Sequence, residues 1–213
     1  DSGSMRVCFR FASDQTRPQF EDPKGPNYTT IEASNNAVLT YHYDPKGNVR
    51  PWDRTLYIKV VRGFLREGDK ITITFGDRSG GSPGMRLQTF CEDSYEFHTL
   101  IDPIATYCYQ PMPVQPVIKI IPGKPDRYLA VAPTIRAVDE SFSIKFKGED
   151  KWGNPSDQCD IKLYPRASHP VKNLPDMISL RPGEFFGVID GLSVADAADL
   201  HIDFLDDTGA VMC

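Results

Sequence analysis

Runs that alternate apolar and polar residues with a period of two recur along the whole chain, and this alternation constrains the fold more than any other feature. They include Arg6 to Phe11, Leu56 to Val61, Lys70 to Phe75 and Tyr95 to Leu100. Further along lie Val117 to Ile121, Ser141 to Phe146, Asp160 to Tyr164 and Leu200 to Leu205. Successive side chains of a strand point to opposite faces, so each run reads as a strand with one face buried and one in water. The 18 prolines and 16 glycines are spread between the runs rather than clustered, as turns between many short strands require. Almost nothing repeats with a helical period, and one short helical turn is expected over Ser193 to Asp199. The expected class is all-β, built from antiparallel β-sandwich modules.

The best boundary lies in Pro111-Met112-Pro113-Val114-Gln115-Pro116. Prolines at alternate positions lack the N–H groups a ladder needs and favour an extended, semi-rigid connection. Two modules are therefore expected, residues 1–112 and 117–213, each near the usual size of one sandwich. The first strand signal opens at Met5, so the first module is expected to miss an upstream piece. The last hairpin, Leu205 to Val211, is expected to be cut before its final strand is complete.

A net charge of −5 with singly scattered Lys and Arg leaves no basic stripe for a run of phosphates, which argues against nucleic acid as a partner. The apolar stretches fall far short of a helical membrane span, and no membrane partner is expected. Cys8, Cys91, Cys108, Cys159 and Cys213 are widely spaced and odd in number. Secreted disulfide scaffolds carry a denser, even set, so reduced thiols and a cytoplasmic location are expected.

Two turn regions are distinctive. In the second half, a strand runs into Asp150-Lys151-Trp152-Gly153-Asn154-Pro155 and another follows near Asp160. Gly153 and Asn154 tolerate positive φ, Asp150 is placed to accept hydrogen bonds across the turn, and Pro155 halts further pairing. A strand followed by Asp-x-x-Gly-Asn-Pro resembles the bacterial immunoglobulin-like modules of invasin type, which implies an immunoglobulin-like second module. In the first half stand Leu65-Arg66-Glu67-Gly68-Asp69, the loop Gly76-Asp77-Arg78-Ser79-Gly80-Gly81-Ser82-Pro83-Gly84, and Arg10 to Asp14 with Pro18 to Phe20 and Asp22-Pro23. These resemble the region that precedes the catalytic domain in a bacterial family of metal-dependent hydrolases related to the polymerase-and-histidinol-phosphatase type. The metal ligands of that family lie in the later domain. The resemblance therefore implies an accessory region and no catalytic residue here.

Taken as chemistry, the residues offer only candidates for binding. The Gly76 to Gly84 loop has the glycine content to cradle an anion, with Asp77 and Arg78 to orient one, but a strand-like run follows it where a phosphate loop needs a helix N-terminus. Trp52 is the third candidate, as a stacking platform beside Tyr41, Tyr43, Tyr107 and Tyr109; the competing reading puts such aromatics in cores and cross-strand pairs. His42, His98, His169 and His201 lack metal-ligand spacing, no Cys-x-x-Cys occurs, and no nucleophile motif is present, so no catalytic residue, metal or cofactor is assigned. The leading expectation is a non-catalytic accessory region that positions or caps a downstream hydrolase domain, or contacts another subunit of the same protein. The alternatives are a carbohydrate- or small-molecule-binding module and an adhesin-like extracellular repeat.

Overall fold

The computed structural model describes residues 3–213. Among the described residues it contains fifteen strands and no helix, so the protein is all-β. The helical turn expected over Ser193 to Asp199 does not form. The backbone there bonds outward instead: Lys172 N–H donates to Ser193 O at 2.8 Å and Asp139 N–H to Val194 O at 2.8 Å. The chain divides into two compact units, Asp1–Ile120 and Ile121–Cys213.

The first unit holds β1 (Ser4–Phe9), β2 (Thr29–Ala33), β3 (Val38–Asp44), β4 (Arg54–Arg62), β5 (Ile71–Phe75), β6 (Glu92–Glu96), β7 (His98–Asp102), β8 (Gln110–Pro111) and β9 (Val117–Ile120). An antiparallel sheet runs β3-β4-β1-β7-β8, and two-stranded ladders join β2 to β5 and β6 to β9. Val7, Phe9, Leu56 and Ile58 on one face of the large sheet share a core with Ile31, Ile71, Ile73 and Phe75 of β2 and β5. The alternation in Leu56 to Val61 and Lys70 to Phe75 specifies these faces, because a one-residue slip would expose the whole apolar set. The run Tyr95 to Leu100, in contrast, is divided between β6 and β7 in different sheets. Phe97 sits at the break, stacked on Phe75 and edge-on to Phe9, so its burial bends the chain where period alone predicts one strand.

The proline segment is not a free connection. Pro111 lies in β8 opposite Leu100, Met112 N–H donates to Thr99 O at 3.0 Å, and Phe97 N–H donates to Pro116 O at 2.9 Å. Proline loses a donor but keeps its carbonyl, so an edge position costs it nothing. Val117–Ile120 then pairs with β6, which carries the first unit past 117 to Ile120, where the sequence places the second module.

The second unit holds β10 (Arg127–Val131), β11 (Phe142–Glu149), β12 (Ile161–Ala167), β13 (Ile178–Leu180), β14 (Gly187–Leu192) and β15 (Ile202–Leu205). Two sheets, β10-β11-β14 and β13-β12-β15, enclose Ile144, Phe146, Ile189 and Leu192 from the first and Leu163, Leu180 and Phe204 from the second. Cys159 joins this core as a small apolar group. Gly187 lies opposite Phe146, whose ring covers the space a side chain would need. After β15 the chain turns on Asp206 and returns: Met212 N–H donates to Phe204 O and Phe204 N–H to Cys213 O, both at 2.8 Å.

The Asp150 turn forms around its carboxylate, which is buried. Oδ1 accepts from the N–H groups of Trp152 and Asn154, and Oδ2 from Gly123 N–H and the Asn154 amide, at 2.9 to 3.0 Å. Gly153 takes a φ of 87°, whereas Asn154 contributes its side chain and not a positive φ. Burial opposes ionisation of Asp150, but the Asn154 amide and the backbone N–H groups outweigh it, and the carboxyl is lowered to about 2.

Candidate functional site

The glycine-rich loop is built for close packing. Asp77 N–H donates to Tyr28 O at 2.8 Å. Its carboxylate accepts from Ser79 N–H at 2.9 Å and Thr30 Oγ1 at 2.8 Å, which holds it below the usual carboxylate range. Both oxygens thus serve the loop itself. Gly80 lies against Pro23, where a Cβ would come within 2.6 Å of the proline ring, and Gly84 lies under the Arg78 guanidinium. The glycines let the loop approach the segment from Asp22 to Asn27, with Asn27 N–H donating to Gly84 O at 2.9 Å. Arg78 is exposed at its rim.

Trp52 stands elsewhere. Its ring stacks on His98 with centroids 4.9 Å apart, and the Arg10 guanidinium lies 5.8 Å from it. His98 Nδ1 meets Glu96 Oε1 at 2.8 Å, while Arg10 pairs with Glu92, which also accepts from Gln88 Nε2 at 2.9 Å. One Trp52 face is therefore filled by a protein ring, and its polar neighbours are paired with one another. Trp52 and the Asp77–Arg78 loop have separate sets of partners. Tyr41 and Tyr43 pack against the first core, and Tyr107 is 83% exposed.

A constellation that sequence reasoning missed lies on the outer face of the large sheet, where the register aligns His42, Tyr57 and Arg6 across β3, β4 and β1. His42 stacks on Tyr57 at 4.8 Å and 11°. The Arg6 guanidinium lies 5.0 Å from the Tyr57 ring and 3.8 Å from that of Tyr109. Tyr57 donates its hydroxyl to Gly47 O, and Tyr109 Oη is 2.7 Å from Ser4 Oγ. Two runs carried Arg6 and Tyr57 as ordinary polar-face positions, and only the tertiary structure brings them to His42 and Tyr109.

On the second unit, the outer face of β10-β11-β14 carries exposed apolar side chains beside Lys145 and Lys147. Val131, Lys145 and Val188 form a cross-strand row, and a groove of about 320 Å³ is lined by Val131, Lys145, Lys147, Pro155, Phe185 and Phe186. Val131 and Phe186 are each 62% exposed. Lys147 is engaged by Glu149 at 2.7 Å, and Glu149 also binds Arg127 at 2.7 Å; these cations lower its carboxyl despite burial.

Among the described residues no group of three or more His, Cys, Asp or Glu side chains is placed to hold a metal ion. No helix is long and apolar enough to cross a membrane. Comparison of the chain with protein-family models, with curated proteins and with solved structures gave no match.

Proposed function

We propose that this chain is a non-catalytic accessory region of a larger bacterial metal-dependent hydrolase, which positions or caps the catalytic domain. The observation that carries the docking role is the outer face of β10-β11-β14. Val131, Val188, Phe185 and Phe186 stand in solvent around Lys145, a concentration of apolar side chains that a sheet face does not expose without a use. The hydrolase context rests on the resemblance of the loops around Arg10 to Asp22 and Gly76 to Gly84. An immunoglobulin-like second unit is supported by its strand order: first, second and fifth strands in one sheet, fourth, third and sixth in the other. The cytoplasm is the proposed location.

The test has two arms. The isolated chain is assayed for bound divalent metal and for phosphoesterase and amidase turnover, and neither is expected; stoichiometric metal together with turnover overturns the reading. The chain is then mixed with the catalytic domain of its parent protein. Association is expected, and Val131→Asp with Phe186→Asp should abolish it while leaving the melting temperature in place. Absence of association in the unmodified chain also overturns the reading.

A further inference from the structure

We propose that Arg6 anchors a binding site for an oxyanion, the carboxylate or phosphate group of a small ligand, on the outer face of the β3-β4-β1-β7-β8 sheet. The inference is independent of the docking role above and draws on the first unit alone.

Arg6 lies on β1, the central strand, and Tyr57 and Tyr109 both pack rings on its guanidinium. Both rings are braced, one by Gly47 O and the His42 stack, the other by Ser4 Oγ. The guanidinium is thereby held in one orientation, which removes the conformational cost that a flexible cation pays on binding.

Its hydrogen bonds, however, are missing. No hydrogen bond or ion pair joins the Arg6 guanidinium to any described residue, and Nε is shut off from solvent without an acceptor. Three other arginines of the unit are served: Arg54 donates to Ser13 O, Arg10 pairs with Glu92, and Arg86 pairs with Asp14. A buried donor left unmade costs about 1–3 kcal/mol, more when charged, and ring contacts do not supply an acceptor.

Two carboxylates that share this face, Asp102 and Asp44, accept from backbone N–H groups instead. Asp102, across from Ser4, accepts from Thr106 N–H at 3.0 Å and Tyr107 N–H at 2.7 Å. Asp44, two residues beyond His42 on β3, accepts from Lys46 N–H at 2.8 Å. Lys59, on β4 diagonal to Arg6 in the register and also without an ion pair, adds a second positive charge. In a chain of net charge −5, a braced, unpaired fork with a second cation beside it lacks only an external acceptor. The fork geometry of a guanidinium matches carboxylate and phosphate oxygens, and with Nε closed off the contact falls to the terminal Nη groups, which have no acceptor among the described residues.

The experiment titrates the full chain, labelled with ¹⁵N, with sodium acetate, trisodium citrate and inorganic phosphate at constant ionic strength. The arginine Nε–H signal and the amides of Arg6, Tyr57 and Tyr109 are followed. Saturable shifts with an affinity in the millimolar range or tighter are expected for at least one oxyanion. The better of the carboxylate and phosphate arms identifies the group the ligand carries. Arg6→Gln should weaken the response about tenfold or more, and Arg6→Lys, which keeps the charge but not the fork, should weaken it as well. Arg6→Lys decides the matter if Arg6→Gln fails to fold. Absence of saturable shifts overturns the proposal. So do shifts that persist unchanged in both variants, which mark an adventitious ion only.

Discussion

The side-chain amide of Gln115 pairs with the backbone of Thr99 as a strand would: Oε1 accepts Thr99 N–H at 2.7 Å and Nε2 donates to Thr99 O at 3.1 Å. Nε2 also reaches Met112 O at 3.1 Å, so one amide closes the edge of β7 where the flanking prolines have no N–H to offer. Thr99 is buried, and Gln115→Ala should leave its N–H unsatisfied at about 1–3 kcal/mol. Gln115→Glu keeps the acceptor and loses the donor, so it should fall between the two. Urea denaturation of the three proteins checks the order, and an alanine variant as stable as the parent refutes it.

Gly187 and Phe146 make the second prediction. A Cβ at 187 would come within 2.6 Å of Phe146 Cε1, so Gly187→Ala must displace a core ring. Overpacking of this kind costs about 1–3 kcal/mol. Combining it with Phe146→Leu, which vacates that space, should cost less than the sum of the single changes. A double-mutant cycle by thermal or urea melting measures the coupling.

Asp150 sets a pH dependence. Its folded carboxyl is held at about 2, below the ordinary aspartate range, by the Asn154 amide and backbone donors acting against burial. The ionised form is therefore favoured by folding. Its contribution is fully present above the unfolded value and is lost as pH falls from about 4 through 2. Removing the carboxylate in Asp150→Ala should cost about 2–3 kcal/mol at neutral pH, and the gap to the parent should narrow across that acid window. Urea melts between neutral pH and the acid limit of reversible folding test the sign; a gap that widens on acidification refutes it.

The thiols should divide by burial. Cys8 and Cys159 are buried, and desolvation pushes both thiols up, while Cys91 and Cys108 are exposed. With an aromatic disulfide reagent at mildly alkaline pH, Cys91 and Cys108 should react at once, and Cys8 and Cys159 only on unfolding. Mass spectrometry of the modified peptides assigns the order.

Much of the strand content was legible because burial of one face imposes a period of two on any strand, whatever its partner. Leu56 to Val61 and Ser141 to Phe146 carried that period clearly. The Asp150 to Pro155 turn was legible for a different reason: a short Asp side chain and a glycine act within a few residues of themselves. Tyr95 to Leu100 misled because its period was intact on both sides of Phe97, and the break is imposed by Phe9 and Phe75, distant in sequence. The proline segment misled because its missing donors were visible while the substitute, the Gln115 amide, required Thr99 to be placed beside it.

The sequence by itself determined the all-β class, the faces that the strands bury and the local turns, since these depend on alternation and on contacts between near neighbours. Tertiary structure alone decided which strands share a sheet, where the first unit ends, and that Arg6, Tyr57, His42 and Tyr109 meet on one surface. Register between strands far apart in the chain is set by the joint packing of the core, and no single run carries that information.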